Sequence, residues 1–210
     1  MKGLLTVISG FSGVGKGTLV NELLRRYPNE YVLSVSATSR LPRPGEIEGV
    51  HYFYKTREEF MEMIHEDAFL EYANYNGNFY GTPKRFVEAQ LEAGKNVILE
   101  IEVQGGFQIK ARFPETVLLY VIPPSAEELV KRLKNRNTET REEILHRLER
   151  AVVEADAITQ YDFVVINDDF ERCLNEMHET IKAKQASIDK RRSYAEALRS
   201  ELIRITEQEN

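Results

Sequence analysis

The stretch from Leu4 to Leu24, LLTVISGFSGVGKGTLVNELL, constrains this chain more than any other. It opens on apolar and β-branched residues, Leu4 to Ile8, which read as a strand. A glycine-rich turn follows: Gly10, Phe11, Ser12, Gly13, Val14, Gly15, Lys16, Gly17, Thr18. Leu19, Val20, Leu23 and Leu24 then recur at helical spacing. Strand, glycine loop and helix in that order are the setting of a phosphate-binding loop. Glycines let backbone N–H groups curl inward around an anion. The helix N-terminus adds unpaired N–H groups and the positive end of a dipole. Lys16 supplies a full charge within reach of β- and γ-phosphates. After Gly-Lys the motif ordinarily has Ser or Thr; here Gly17 stands there, with Thr18 next. Thr18 is expected to reach Mg2+ directly or through a water.

Composition bounds the rest. At 210 residues the chain suffices for one large domain with small inserts. Its 42% hydrophobic and 30% charged content reads as soluble and globular. No apolar run approaches the roughly 20 residues of a membrane helix, and Met1-Lys2-Gly3 leads into a strand, unlike a secretory signal. Neither a membrane nor a nucleic acid is an expected partner, the latter because the net charge is −6. Cys173 is the single cysteine, so no intrachain disulfide forms and a reducing, cytoplasmic setting is expected. An acidic protein that binds nucleotides must concentrate its cations locally, which directs attention to the arginines.

Further along, Tyr31 to Ser36 reads as a second strand, running into a polar loop with Arg40 and Arg43 pinned by Pro42 and Pro44. Tyr52 to Tyr54 is a short strand, and Thr56 with Glu59 a capping box opening a helix to about Glu66. Asn76-Gly77 inside FLEYANYNGNFYGT is a type I′ hairpin signal between two aromatic-rich strands. Pro83 to Ala93 is a helix followed by Gly94, and Val97 to Val103 a buried strand. Gly105-Gly106 precede a short helix that stops before Pro114, and Val117 to Ile122 is another strand. Ser125/Glu128 and Thr140/Glu143 are two more capping boxes, opening helices to about Arg136 and Thr159. Phe163 to Ile166 is the last strand. Helix follows from Phe170, with a charged break near Asp189 to Ser193 and a final helix from Tyr194. Alternating strands and helices imply an α/β fold, a mostly parallel sheet covered by helices on both faces.

Six stretches together resemble guanylate kinase: GFSGVGKGT, SVSATSRLPRPGEIEGVHY, FLEYANYNGNFYGT, ILEIEVQG, RLKNRNTET and VINDD. The likeness runs from about Leu4 to Lys184 in collinear order, and the tail looks like the bacterial form. It implies a P-loop NTPase-type core of residues 1–35, 83–124 and 151–184. A small β-rich GMP-binding insert at 36–82, a helical lid at 125–150 and a helical extension at 185–210 complete the layout. It also implies ATP-dependent phosphorylation of GMP, and of dGMP, to the diphosphate, with Mg2+ as cofactor, in purine metabolism.

The residues make chemical sense for that task. An acceptor phosphate carries close to two negative charges, and guanidinium groups grip phosphate oxygens in bidentate fashion. Arg40 and Arg43 suit this, with Tyr52 and Tyr80 as phenolic donors and Glu46 in the same loop; the other reading of Tyr52 is a core residue. Guanine offers two adjacent donors, N1–H and the exocyclic amine, which one carboxylate accepts at once. Glu71 is the expected reader, with Ser36 and Thr82 hydroxyls nearby, and such a site could reject adenine by about 10⁴-fold. Glu100 and Glu102, two apart, are expected on one strand face. The resemblance gives Glu102 to the guanine and Glu100 to the Mg2+ shell, where relatives carry aspartate; a structural ion pair is the other reading of Glu100. Arg132, Arg136 and Arg147 match lid arginines directed at the transferring phosphoryl group, the alternative being an ordinary charged hairpin. Lys131, Lys134 and Arg150 fit that alternative better. Asn167 and Asp168 resemble the adenine-side contact, with a helix N-cap as the other reading of Asp168 or Asp169. No general base is required, because the acceptor oxygen is already anionic; His51, His65, His146 and His178 are scattered.

Two other functions fit parts of the pattern: a kinase for another acceptor, and a non-catalytic phosphopeptide-binding module. Glu71 and SRLPRPGE oppose the first. The intact phosphate loop opposes the second. The tail, with Ile188, Leu198, Leu202 and Ile205, can pack on a partner chain, which would make a homo-oligomer.

Overall fold

The computed structural model describes residues 2–75, 77–135 and 140–209. Its core is a parallel sheet of five strands: β1 (Leu5–Gly10), β2 (Tyr31–Leu33), β7 (Asn96–Glu100), β8 (Val117–Ile122) and β9 (Phe163–Ile166). The order is β2-β7-β1-β8-β9, with every pair parallel. Strand alternation sorts the side chains into two layers. Val117, Leu119 and Val121 of β8 join one apolar cluster, while Leu118 and Tyr120 join the other. Helices α1 (Lys16–Arg26) and α7 (Phe170–Glu209) cover the first face, through Leu19, Val20, Leu23, Leu174, Met177 and Ile181. Helices α3 (Lys84–Glu92) and α4 (Val103–Arg112) cover the second, through Val87, Leu91 and Ile109.

A second, four-stranded sheet is built from β3 (Ala37–Thr38), β4 (Phe53–Tyr54), β5 (Phe69–Tyr75) and β6 (Asn78–Pro83), in the order β4-β3-β6-β5. It has a small core of its own beneath α2 (Arg57–His65), where Phe60 stacks on Phe69 at 4.5 Å and on Phe79 at 5.4 Å. Thr56 and Glu59 form the capping box that starts α2. Strand β5 docks on α4: Arg112 donates to the carbonyls of Phe69 (3.0 Å) and Leu70 (2.8 Å). Two further helices, α5 (Ala126–Asn135) and α6 (Arg141–Ala155), lie between β8 and β9, and α6 opens on the Thr140/Glu143 capping box.

Several boundaries differ from the sequence expectation. Strand β7 stops at Glu100, and Glu102 is the N-cap residue of α4, so the two carboxylates do not share a strand face. Gly105 and Gly106 lie inside α4, buried against the sheet and β5. Strand β2 ends at Leu33, leaving Ser36 in the connection to β3. Helix α6 ends at Ala155 and passes into a 3₁₀ turn, Asp156–Gln160. The expected break near Asp189 to Ser193 is absent: α7 runs unbroken for 40 residues. The reason is that charge alone does not stop a helix; the segment has no proline or glycine, and Lys and Arg are good helix formers. Asn76 lies outside the described residues, though β5 and β6 pair from Tyr75 and Asn78 as a two-residue turn requires.

Candidate functional site

Open parallel sheets collect ligands beyond the carboxyl ends of their strands. Here those ends carry the glycine loop after β1, Glu100 at the end of β7, and Asn167 just past β9. Gly15 is the N-cap of α1 with φ 99°, a left-handed conformation that favours glycine. A Cβ there would stand 2.8 Å from the amide nitrogen of Asn167. Lys16 Nζ folds back over the loop, donating to the carbonyls of Gly10 (2.5 Å) and Phe11 (3.2 Å). Gly13 faces Leu133 of α5, Gly17 faces Glu100, and Thr18 is exposed in the first turn of α1.

Two of the expected lid arginines meet this loop. Arg132 donates to the carbonyl of Val14 (3.1 Å) and to that of Asn167 (2.8 Å), while Glu128 holds its Nε at 3.0 Å. Arg147 donates to the hydroxyl of Ser12. The third, Arg136, lies outside the described residues. Asn167 is buried and turned inward, its amide donating to Val14 at 2.8 Å. It braces the loop in this structure. Asp168 pairs with Arg172, and Asp169 caps α7 by accepting from the Arg172 N–H at 2.8 Å. Of the two candidates for the helix cap, Asp169 is the one that caps.

The residues expected to hold the acceptor gather on the second sheet and its loops. Glu46 is its organiser: it takes Arg40 in a fork at 2.8 and 3.0 Å, the Arg43 N–H at 2.7 Å and the Tyr54 hydroxyl at 2.8 Å. The Arg40 guanidinium, with the Arg43 N–H, holds the Glu46 carboxyl down at about 2. Arg40 also lies 5.5 Å from the Tyr52 ring centroid, and Tyr52 packs edge-on to Tyr80 at 5.9 Å. The Arg43 side chain is exposed. Ser36 is half-buried, its carbonyl accepting from Phe53 N–H at 2.9 Å.

Glu71 is buried on β5, accepting from the Thr82 hydroxyl at 2.6 Å. The register of β5 and β6 shifts between Phe69 and Tyr72, the stretch that carries Glu71. Such an irregularity re-aims a side chain. On the other side α4 approaches so closely that a Cβ on Gly105 would lie 2.8 Å from Glu71 Oε2. Burial pushes the Glu71 carboxyl up, opposed by the Thr82 hydrogen bonds.

Glu100 links the two halves. Both its carboxylate oxygens lie 3.8 Å from where a Cβ on Gly17 would stand. Its carboxyl is raised by loss of solvent; Lys16 opposes the shift and Glu102 adds to it. The Tyr52 hydroxyl, raised first by burial and then by Tyr80, also feels Glu100. One carboxylate therefore acts electrostatically on the lysine of the glycine loop and on a tyrosine of the second sheet. Among the described residues no group of three or more His, Cys, Asp or Glu is placed to hold a metal. No helix of the described residues is long and apolar enough to cross a membrane.

Sequence reasoning set Arg150 aside as a surface charge. The structure instead gives it Glu102 (2.7 Å), Glu154 (2.7 Å) and the Tyr75 ring, 4.5 Å to the centroid. Its spacing of three from Arg147, which puts both on one side of α6, was the available signal. Tyr54 and Gly105 were also passed over. Tyr54 had no signal beyond its place in the strand, and Gly105 none at all without the approach of β5.

Comparison with known proteins agrees with this arrangement. The model of the family described as guanylate kinase matches residues 2–184. A guanylate kinase of Desulfitobacterium hafniense is 48% identical over 192 residues, covering 91% of this chain and 95% of that protein. One from Caldanaerobacter subterraneus is 45% identical over 202 residues, covering 96% and 98%. In three dimensions the chain resembles the crystal structure of guanylate kinase from Anaplasma phagocytophilum, with TM-score 0.71, 32% identity and coverage of 88% and 87%. Likeness along nearly the whole chain, in sequence and in fold, shows that this protein belongs to the guanylate kinase family.

Proposed function

We propose that this protein transfers the γ-phosphoryl group of ATP to GMP, giving ADP and GDP, and accepts dGMP in the same way. The observation that carries the choice of base is Glu71: a buried carboxylate whose hydrogen-bonded neighbour is the Thr82 hydroxyl. A buried anion needs donors. Guanine N1–H and its exocyclic amine supply two, side by side, and adenine supplies no such pair. Turnover is measured as ADP release with GMP, AMP, UMP and dTMP in turn. GMP is expected to be used far better than the others, and strong turnover of AMP overturns the assignment.

In this reading Arg40, Arg43, Tyr52 and Tyr80 hold the acceptor phosphate, with Glu46 fixing Arg40 and the loop. Ser36, Glu71, Thr82 and Glu102 face the base. Residues 10–18 hold the donor phosphates, and Asn167 and Asp168 lie beside that loop. An acceptor phosphate oxygen attacks the γ-phosphorus as the bond to the β–γ bridging oxygen breaks; ADP leaves with that electron pair. The attacking oxygen needs no deprotonation, so the protein contributes alignment and charge neutralisation. Lys16, Arg132, Arg136 and Arg147 supply the neutralising charge.

The donor set suits Mg2+, which takes oxygen ligands and keeps waters alongside substrate phosphates. Thr18 and Glu100 would hold it, directly or through water, beside the first turn of α1. The ion supplies electrophilic polarisation of the phosphoryl oxygens when bound. Keeping water out calls for closure of the insert (36–82) and the lid (125–150) over the core. A cytoplasmic setting fits the single buried cysteine, Cys173. A phosphopeptide-binding role would not need the donor loop. Lys16→Ala is expected to abolish detectable ATP binding by titration calorimetry, and unchanged binding would remove the donor-site assignment.

A further inference from the structure

Arg150 belongs to no part of the reaction just described, yet its guanidinium joins two parts of the molecule to its own helix. It projects from α6 in the lid-side segment. Its NH2 donates to Glu102 Oε2 at 2.7 Å, at the N-cap of α4 in the core. Its plane lies over Tyr75, the last residue of β5 in the insert, 4.5 Å from the ring centroid. Its Nε donates to Glu154 Oε1 one turn along α6 at 2.7 Å, so both ends of the guanidinium are held by carboxylates. The side chain is 28% exposed and that of Glu154 13%, so this contact is better shielded than an ordinary surface ion pair. Among the described residues Glu102 Oε1 has no protein hydrogen bond, and that oxygen remains able to accept from a base.

Three residues earlier on the same helix, Arg147 reaches Ser12 of the phosphate loop. The rise between the two positions is about 4.5 Å. One short stretch of α6 thus touches the donor loop with one arginine and the base-side carboxylate and the insert with the next. A helix is stiff over one turn, so moving either contact moves the other.

We propose that Arg150 is a positioning residue that aims Glu102 at the guanine and couples occupancy of the GMP site to the seating of Arg147 on the ATP loop. This rests on GMP being the acceptor. Guanine binding to Glu102 Oε1 fixes the carboxylate, the carboxylate fixes Arg150, and α6 is drawn onto the loop. Linkage then requires ATP to tighten GMP binding by the same factor.

The test uses the full-length enzyme. Wild-type turnover of GMP is measured first, then KM for each nucleotide, kcat, and the affinity for a non-hydrolysable ATP analogue with and without GMP. Arg150→Met keeps the apolar stem and removes the fork. It is expected to raise KM for GMP about fivefold or more and to abolish the GMP-dependent gain in analogue affinity, leaving analogue affinity without GMP unchanged. Arg150→Lys is expected to recover part of the KM through Glu102 alone. Tyr75→Leu, on the exposed hairpin, is expected to reduce the coupling, and it carries the test if Arg150→Met does not fold. Unchanged KM for GMP and intact coupling in these variants, with an active wild type, overturn the inference alone. No GMP turnover by the wild type overturns the substrate reading and this inference together.

Discussion

At the scale of single residues, two carboxylates have opposite electrostatics for a physical reason. Glu46 sits among donors from Arg40, the Arg43 N–H and Tyr54, which hold it down at about 2. It stabilises the folded chain above the ordinary glutamate range, and that contribution is lost as pH falls toward its own value. Glu71 has the reverse sign. Burial raises it, so the native state binds its proton more tightly than the unfolded chain does. Its contribution favours the fold at acid pH and is lost as pH rises through the raised value. Glu71→Gln is therefore expected not to lower Tm at pH 7, while KM for GMP rises about 10- to 100-fold through loss of a charged acceptor. ATP-analogue affinity should be unchanged; equal loss for both nucleotides contradicts the base-reading role. The ratio of kcat/KM for GMP between wild type and this variant should grow with pH above the ordinary carboxylate value of 4.5, as Glu71 ionises. A flat ratio would mean that the ionised form is not what guanine meets.

At the scale of elements, α4 shows why local sequence is a partial guide. A buried strand through Val103 was the natural reading of VILEIEV, which is apolar and mostly β-branched apart from its two carboxylates. The chain instead turns at Glu102 and coils, with two glycines inside the helix, because α4 must approach the sheet and β5 closely. Gly106 would put a Cβ 3.1 Å from the Tyr161 hydroxyl and 3.2 Å from Val7. In an ordinary helix Gly→Ala gains about 1 kcal/mol. Gly105→Ala is expected to lose that gain, because the new methyl displaces Glu71. The readout is selective: KM for GMP rises about tenfold while ATP-analogue affinity holds. Unaltered GMP kinetics would show that Glu71 is not set by this contact. The capping boxes of α2 and α6 are the opposite case, in which four residues of sequence suffice to place a helix start.

For the whole molecule, the long α7 divides into a part that builds the core and a part that does not. Ile188 is buried, whereas Tyr194, Leu198, Leu202 and Ile205 are exposed. Ile188→Ala is expected to cost about 2–4 kcal/mol of stability by denaturant unfolding. Ending the chain after Ser193 is expected to shift Tm by no more than about 2 °C and to leave kcat and both KM values unchanged. A marked loss of activity on truncation would assign the exposed stretch a part in the reaction. The groups expected to face the nucleotides come from the core, the insert and the lid segment, and Glu100 lies between the glycine loop of the core and the tyrosines of the insert. It acts electrostatically on Lys16 in the core and, more weakly, on Tyr52 in the insert.

The glycine loop, the alternating strands, the Pro-pinned arginines and the family were legible in the chain alone, because each is a local pattern whose geometry follows from adjacent residues. Strand β8 and strand β9 were bounded correctly for the same reason: their apolar runs end in turn residues. What required the fold was every contact between residues distant in sequence. Arg150 reads as a surface charge until Tyr75 and Glu102 come beside it. That the Asn167 amide donates to Val14 and so braces the phosphate loop is visible only in the fold. The continuity of α7 was missed because charge density was weighed where only helix-breaking residues count. Local propensity and pattern set which elements form; the desolvation and pairing that give a side chain its role depend on neighbours that only the folded chain brings near.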